Sequence, residues 1–222
     1  MTALGARDAY HLWGSTYDSE NAFSWIENRL VAGMTPPLTG LRLLDAGCGT
    51  GRRLRGTAAS RAVGVDFSPE MLAADDGEGS AELLLGDIRA LPLADRSFDV
   101  VWCRLAIGHV PDCRPVYAEL ARVADAGAHV VVTDFHPEAY EAGQRRTFRD
   151  SAGLLREVEH HVHAVPGQVA AAEAAGLTFI EARDGRVGPE VRPFYEEAGR
   201  ATLHAVQVGL PVVLALAFRR DI

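Results

Sequence analysis

The 222-residue sequence is short of several things, and each shortage closes off a class of protein. Its three cysteines, Cys48, Cys103 and Cys113, are odd in number and fit no C-x-x-C spacing, which argues against a thiolate metal site. Reduced thiols in a cytoplasmic setting are the simplest expectation. Basic residues are outnumbered, 22 against 30 acidic, and the net charge of −8 argues against a general nucleic-acid binder, whose phosphate contacts need a basic surface. No window holds 18 uncharged apolar residues, and the longest such run, GLPVVLALAF, has the length of a strand, so no membrane span is expected. No charged stretch followed by an apolar one opens the chain, and no internal repeat is present. Neither HExxH nor a helical HxxxH occurs, so no metal site is expected even where EVEHHVH brings His160, His161 and His163 close together.

What is present is alternation. With 48% hydrophobic residues the chain is long enough for one sizeable core and is read as a single domain over 1–222. Short apolar runs at 41–44, 62–65, 83–85, 100–102 and 130–132 have the length of buried parallel strands, with helix-length segments between them. Before them, Ala22, Phe23, Ile26 and Leu30 share one helical face after an Asp18/Ser19 cap, giving an N-terminal helical cap over 1–40. Ser68-Pro69-Glu70 reads as a helix start; Asp112 is expected to cap the helix that Gly127 closes. The cofactor-binding core is thus expected over 41–134. Residues 135–165 break the rhythm and read as a lid-like insertion. A helix over 168–175 and strands over 177–182 and 211–218 close the chain within 166–222.

The stretch LLDAGCGTGRR removes side chains where a strand should hand over to a helix. Glycines at such a turn let a ligand approach the backbone at the carboxyl end of an open parallel sheet. A dinucleotide fingerprint would need glycine at position 52, which is Arg52. Instead the pattern is Asp45-x-Gly47-x-Gly49-x-Gly51, followed by Asp66 after the second strand and Asp87 after the third. Acids at three adjacent strand ends suit a ligand with an amine, a ribose and an exocyclic adenine amine, all hydrogen-bond donors. S-adenosylmethionine has all three.

The same residues resemble the class I S-adenosylmethionine-dependent methyltransferases, particularly the small bacterial ubiquinone/menaquinone-type members. LLDAGCGTGR, VGVDFSPEML, GDIRALPLADRSFDVVWC and RLAIGHVPD are similar to four motifs of that family in order, over about residues 10–135; AAEAAGLTFIEAR and GLPVVLALAFRR echo its closing helix and strand pair. The resemblance implies an α/β, Rossmann-like doubly wound, mostly parallel seven-stranded sheet with an antiparallel last strand. It implies that Gly47, Gly49 and Gly51, with Cys48 between them as a small buried filler, shape the turn around the methionine part, and that Asp45 holds its amino end. Asp66 would take the ribose hydroxyls, Phe67 and Met71 would pack on the adenosine, Asp87 and Ile88 would reach the adenine edge, Arg104 or Leu105 would lie beneath the sulfonium, and Tyr17 would close over the whole.

His109 and His136 follow the fourth and fifth strands and are candidate general bases for the acceptor, alongside purely structural roles. His160, His161 and His163 read as a substrate-facing rim; Arg145, Arg146 and Arg149 read as a solvated helix face or an attractor of acidic substrates. The expected reaction is in-line transfer of a methyl group to an O, N or C nucleophile of a small, partly apolar molecule. A cofactor-binding fold relative without methyl transfer, such as a cyclase or regulatory module, and a nicotinamide-dependent oxidoreductase remain alternatives.

Overall fold

The computed structural model describes residues 3–13, 20–74 and 79–221. Helices α1 (Ala6–Trp13) and α2 (Ala22–Met34) precede strand β1 (Arg42–Ala46); then come β2 (Arg61–Asp66), α3 (Pro69–Ala73), β3 (Glu82–Leu85) and β4 (Phe98–Arg104). After α4 (Arg114–Val123) follow β5 (Ala124–Phe135), α5 (Pro137–Glu141), a small hairpin of β6 (Thr147–Arg149) and β7 (Leu155–Glu157), α6 (Val165–Ala174), β8 (Leu177–Arg186), α7 (Arg192–Glu197), α8 (Ala201–Gln207) and β9 (Pro211–Arg220). The main sheet has seven strands in the order β3-β2-β1-β4-β5-β9-β8. Strands β1 to β5 pair in parallel, while β9 runs antiparallel to both neighbours. The expected sheet is therefore present, with the antiparallel strand inserted between β5 and β8.

Period-two alternation decides how each face is covered. Leu44, Val101, Cys103, Val130, Val132, Leu214 and Leu216 pack with α4 and α6, whose buried positions include Val116, Leu120 and Ala172. Their sequence neighbours Leu43, Val100, Trp102, Val131 and Ala215 face the other way, onto Val31 and Met34 of α2. This parity carries on to the strand ends. Asp45, Arg104 and Thr133 fall on the α2 side, and Asp134 falls on the opposite side.

Local expectations fare unevenly. Ser68 caps α3 as expected, its hydroxyl accepting the Met71 N–H at 3.2 Å. The cap of α2 is Asn21, whose side chain exchanges bonds with Ser24; Asp18 and Ser19 lie outside the described residues. No helix follows β1: Gly49, Gly51 and Gly56 take φ of 60°, 74° and 67°, which an α-helix cannot continue through, and the chain turns instead. Asp112 stands at the start of α4 as expected, its Oδ1 accepting the Arg114 N–H at 3.0 Å while the Arg114 guanidinium closes on the same carboxylate at 2.8 Å. Gly127 does not end that helix, because α4 passes directly into β5. Among the described residues no helix is long and apolar enough to cross a membrane.

The turn after β1 is seated on β2. Gly47 and Cys48 donate backbone N–H groups to the Val65 carbonyl at 2.7 and 3.1 Å. Beneath them Gly64 leaves no space: a Cβ there would lie 2.6 Å from Cys48 Sγ and 2.7 Å from Leu83 Cδ2. Gly64→Ala should therefore overpack the junction and lower stability by roughly 1–3 kcal/mol. Adding Cys48→Ala should recover part of the loss. Chemical denaturation of both variants checks this; no recovery in the double variant would show that Cys48 is not the obstacle.

Candidate functional site

Backbone donors organise the carboxyl edge of the sheet around Asp66. Its Oδ2 accepts the Gly49 N–H at 2.8 Å and its Oδ1 the Ser68 N–H at 2.9 Å, so the carboxylate clips the glycine turn to the start of α3. Burial raises its pKa, and the backbone bonds from Ser68 and Gly49 oppose that rise. Asp66 itself lines a cavity of about 570 Å³. Gly47, Gly49, Phe67, Met71, Asp87 and Ile88 share its walls, with Tyr10 of α1 on the open side. A Cβ on Gly47 would come within 2.4 Å of the Ala106 Cβ, so only glycine lets the turn meet the loop after β4.

Below this cavity lies a buried charge cluster set up by strand parity. Glu27 of α2, fully buried, receives Arg104 through Nε and Nη2 at 2.8 and 2.6 Å, the Thr133 hydroxyl at 2.9 Å, and Arg53 at 3.3 Å. Burial alone would raise the Glu27 pKa; Arg53, Arg104 and these hydrogen bonds outweigh it and bring it to about 2. Asp45 is fully buried beside the cluster with neither oxygen hydrogen-bonded, and desolvation lifts it to about 6 against the pull of Arg104 and Arg53.

Leu105 links this cluster to the surface. It is one of two non-glycine residues with positive φ among the described residues, at 56°. Such a backbone costs roughly 1–3 kcal/mol unless its surroundings impose it. Here its N–H is held by the Thr133 carbonyl and hydroxyl at 3.0 and 3.1 Å, and its carbonyl accepts Arg146 Nη1 at 2.8 Å. Leu105 lines the first cavity and also a second one of about 550 Å³, bounded by Phe23, Phe135, Arg146, Tyr195 and Arg200. The two spaces adjoin at this residue.

The histidines divide. His109 lines the first cavity, and its Nε2 lies 2.8 Å from the Tyr10 hydroxyl, which also accepts Arg146 Nη2 at 3.0 Å. The Tyr10 hydroxyl thus ties His109 to Arg146. Burial first, then Arg146 and His160, push the His109 pKa well below its ordinary value. His136 does not reach either cavity. It caps α5, its Nδ1 accepting the Glu138 N–H at 3.1 Å, while Nε2 lies 3.3 Å from Asp184 of β8. Both nitrogens are thus committed to structure. His160 lies packed against Gly108, where a Cβ would sit 1.9 Å from the ring, and 3.3 Å from Asp134.

Of the expected site residues, the structure gathers Gly47, Gly49, Asp66, Phe67, Met71, Asp87, Ile88, Leu105 and His109 around one cavity. Others are placed elsewhere. Cys48 points at Gly64 and Gly51 faces Leu83, so both serve turn packing. Asp45 lies under the turn, and Arg104 reaches the cavity rim while its guanidinium turns down to Glu27. Asp87 is clamped by Arg89 at 2.6 Å. Tyr17 lies outside the described residues. Glu27, Tyr10 and the specific placement of Arg146 were not anticipated; a glutamate next to Ile26 on an otherwise apolar helix face was the available signal for the first.

Comparison with known proteins agrees with this geometry. A methyltransferase domain family matches residues 44–132. The 27-O-demethylrifamycin SV methyltransferase of Amycolatopsis mediterranei is 32% identical over 196 residues, covering 81% of this chain and 68% of that protein. The chain spans smaller shares of several other curated relatives, 35% of a rice chloroplast protein described as a probable tocopherol O-methyltransferase and 49% of a Serratia marcescens malonyl-[acyl-carrier protein] O-methyltransferase among them. In solved structures, an S-adenosylmethionine-dependent methyltransferase from Mesorhizobium loti superposes with a TM-score of 0.67 at 23% identity, covering 88% of this chain and 98% of that one. A methyltransferase in complex with the Haloferax volcanii Trm112 activator gives 0.73 at 19%, covering 97% of each.

Two substitutions separate the roles of the buried acids. Glu27→Ala should cost roughly 3–5 kcal/mol, because it strands two guanidinium groups without their shared partner; an unfolding midpoint near that of the parent would refute the hub. Asp45 holds its proton more tightly folded than unfolded, so the stability it lends is present below 3.8 and is lost as pH rises through about 6. Asp45→Asn removes that loss. Its stability relative to the parent should improve by up to about 3 kcal/mol from about pH 4 to about pH 7, read from melting temperatures across that range.

Proposed function

The chain belongs to the class I S-adenosylmethionine-dependent methyltransferases, and on that premise we propose that it moves the cofactor's methyl group to an oxygen of a small, partly apolar acceptor seated in the second cavity. The observation that carries this reading is the meeting of two cavities at Leu105, a residue whose backbone is fixed from three sides.

The first cavity fits the cofactor's chemistry. Asp66 has acceptor capacity for a pair of ribose hydroxyls, Phe67, Met71 and Ile88 offer apolar surface to a flat base, and Gly47 and Gly49 leave backbone exposed. Asp45 supports that turn from below as part of the Glu27 cluster. When bound, the cofactor supplies an electrophilic methyl group on cationic sulfur. The chain's own residues bind, orient and keep water out. Helix α1 helps to exclude water, because Tyr10 stacks on Trp13 and Trp13 stacks on Phe148 of the β6–β7 hairpin at 4.7 Å, joining the N-terminal cap to the 135–165 insertion over the site. We read that insertion as the cover of the acceptor space. Three unpaired, buried cysteines suit a reducing compartment and support a cytoplasmic reading.

Acceptor-dependent formation of S-adenosylhomocysteine is the direct test. Asp66→Ala should weaken cofactor binding by about a hundredfold in calorimetric titration, since two hydrogen bonds to a charged acceptor are lost. An unchanged dissociation constant would remove Asp66 from the cofactor site.

A further inference from the structure

The second cavity carries a charge pattern at odds with the rest of the chain. The protein has a net charge of −8, yet the described residues of this cavity's wall include Arg52, Arg53, Arg145, Arg146 and Arg200. Against them stand Glu20 and Glu197. Some of these cations are already matched. Arg53 pairs with Glu27, Arg52 has partners of its own, and Arg145 lies over the Tyr140 ring and 4.0 Å from Glu157. Arg146 and Arg200 differ. Among the described residues no carboxylate lies within ion-pair distance of either.

Arg146 is half-buried, and Arg200 is exposed at the cavity's rim. Arg146 spends one amino group on the Leu105 carbonyl and the other on the Tyr10 hydroxyl, leaving further N–H donors at the junction of the two cavities. Arg200 follows α7, and its charge acts on Tyr195: burial raises that phenol's pKa while Arg200 pulls it down. Phe23, Phe135 and Tyr195 give the same cavity an aromatic lining. A space with aromatic walls and two guanidiniums that no carboxylate matches is a receptor for a flat molecule with an anionic end.

The histidines point the same way. Of the described histidines only His109 lines either cavity, and its Nε2 is taken by Tyr10. A nucleophile that must first lose a proton finds no free imidazole there. One that is already ionised needs none.

We propose that the methyl acceptor is an organic acid whose nucleophilic oxygen is anionic at neutral pH, a carboxylate or an acidic phenolate, received in the second cavity by Arg146 and Arg200. The inference rests on the methyltransferase reading above. An oxygen lone pair forms the new O–CH3 bond as the carbon–sulfur bond breaks with its electrons passing to sulfur; the negative oxygen and the positive sulfur both become neutral, and no proton moves. A dry cavity favours such a step because opposite charges vanish along it.

The test uses the full chain with S-adenosylhomocysteine and three probes: 2-naphthoate, 3,5-dinitrophenolate and neutral 2-naphthamide. S-adenosylhomocysteine is titrated first. With it bound, one or both anions should bind at least about tenfold more tightly than the amide in calorimetry, as expected for charge-assisted pairing, and which anion does so separates carboxylate from phenolate. Arg200→Gln, at a rim position with no structural bond to lose, should cut that preference about threefold or more and leave S-adenosylhomocysteine binding unchanged; Arg146→Gln should cut it further. Equal binding of anions and amide, no binding of any probe at millimolar concentration, or a preference that survives both substitutions overturns the acid assignment. Failure of S-adenosylhomocysteine itself to bind overturns the methyltransferase reading, and the acid assignment with it.

Discussion

A carboxylate that never meets water holds this structure's working edge together. Glu27 gathers Arg104 from the end of β4, Thr133 from the end of β5 and Arg53 from the turn region after β1, each from a different strand connection. Burying such a group is costly unless its partners are complete, and here they are. Removing any one partner leaves charge without compensation. The cofactor turn, the loop after β4 and α2 therefore keep their relative positions through a common electrostatic centre rather than through apolar contact alone.

Leu105 shows how that centre is used. The Thr133 hydroxyl donates to Glu27 and accepts the Leu105 N–H, so the buried cluster reaches the strained residue through a single side chain. Strain persists where the surroundings over-determine it, and this residue lies where both cavities meet. The wall between the two spaces is a fixed stretch of backbone. Every lysine is absent from the 222 residues, so the matched and unmatched cations around it are guanidiniums, with planar forks that fix direction as well as charge.

Much of the fold was legible because strand signals are local. Buried parallel strands read as short apolar runs; four of the five runs fall inside the observed strands, and the other, 41–44, starts one residue before β1. The glycine turn was legible for a related reason: a turn that takes positive φ needs glycine. What escaped the sequence was depth at strand ends. Asp45 looks equivalent to Asp66 in one dimension, yet it pairs with Gly64, two residues short of Asp66, and is fully buried, while Arg104 turns its guanidinium down to Glu27. His136 failed similarly, since nothing local says that its ring will cap the helix it precedes and meet Asp184 nearly fifty residues on. Glu27 was hidden because a charge on an apolar helix face declares itself only when its distant partners are known.

The bond from Arg146 to the Leu105 carbonyl has a consequence for redesign. The segment between β5 and α6 is where one would graft foreign sequence to alter selectivity, and it is not an exchangeable cassette. Swapping it without an arginine at the same place would slacken the backbone where the two cavities meet as well as reshaping the second of them, so the two spaces of this scaffold are inherited as a pair.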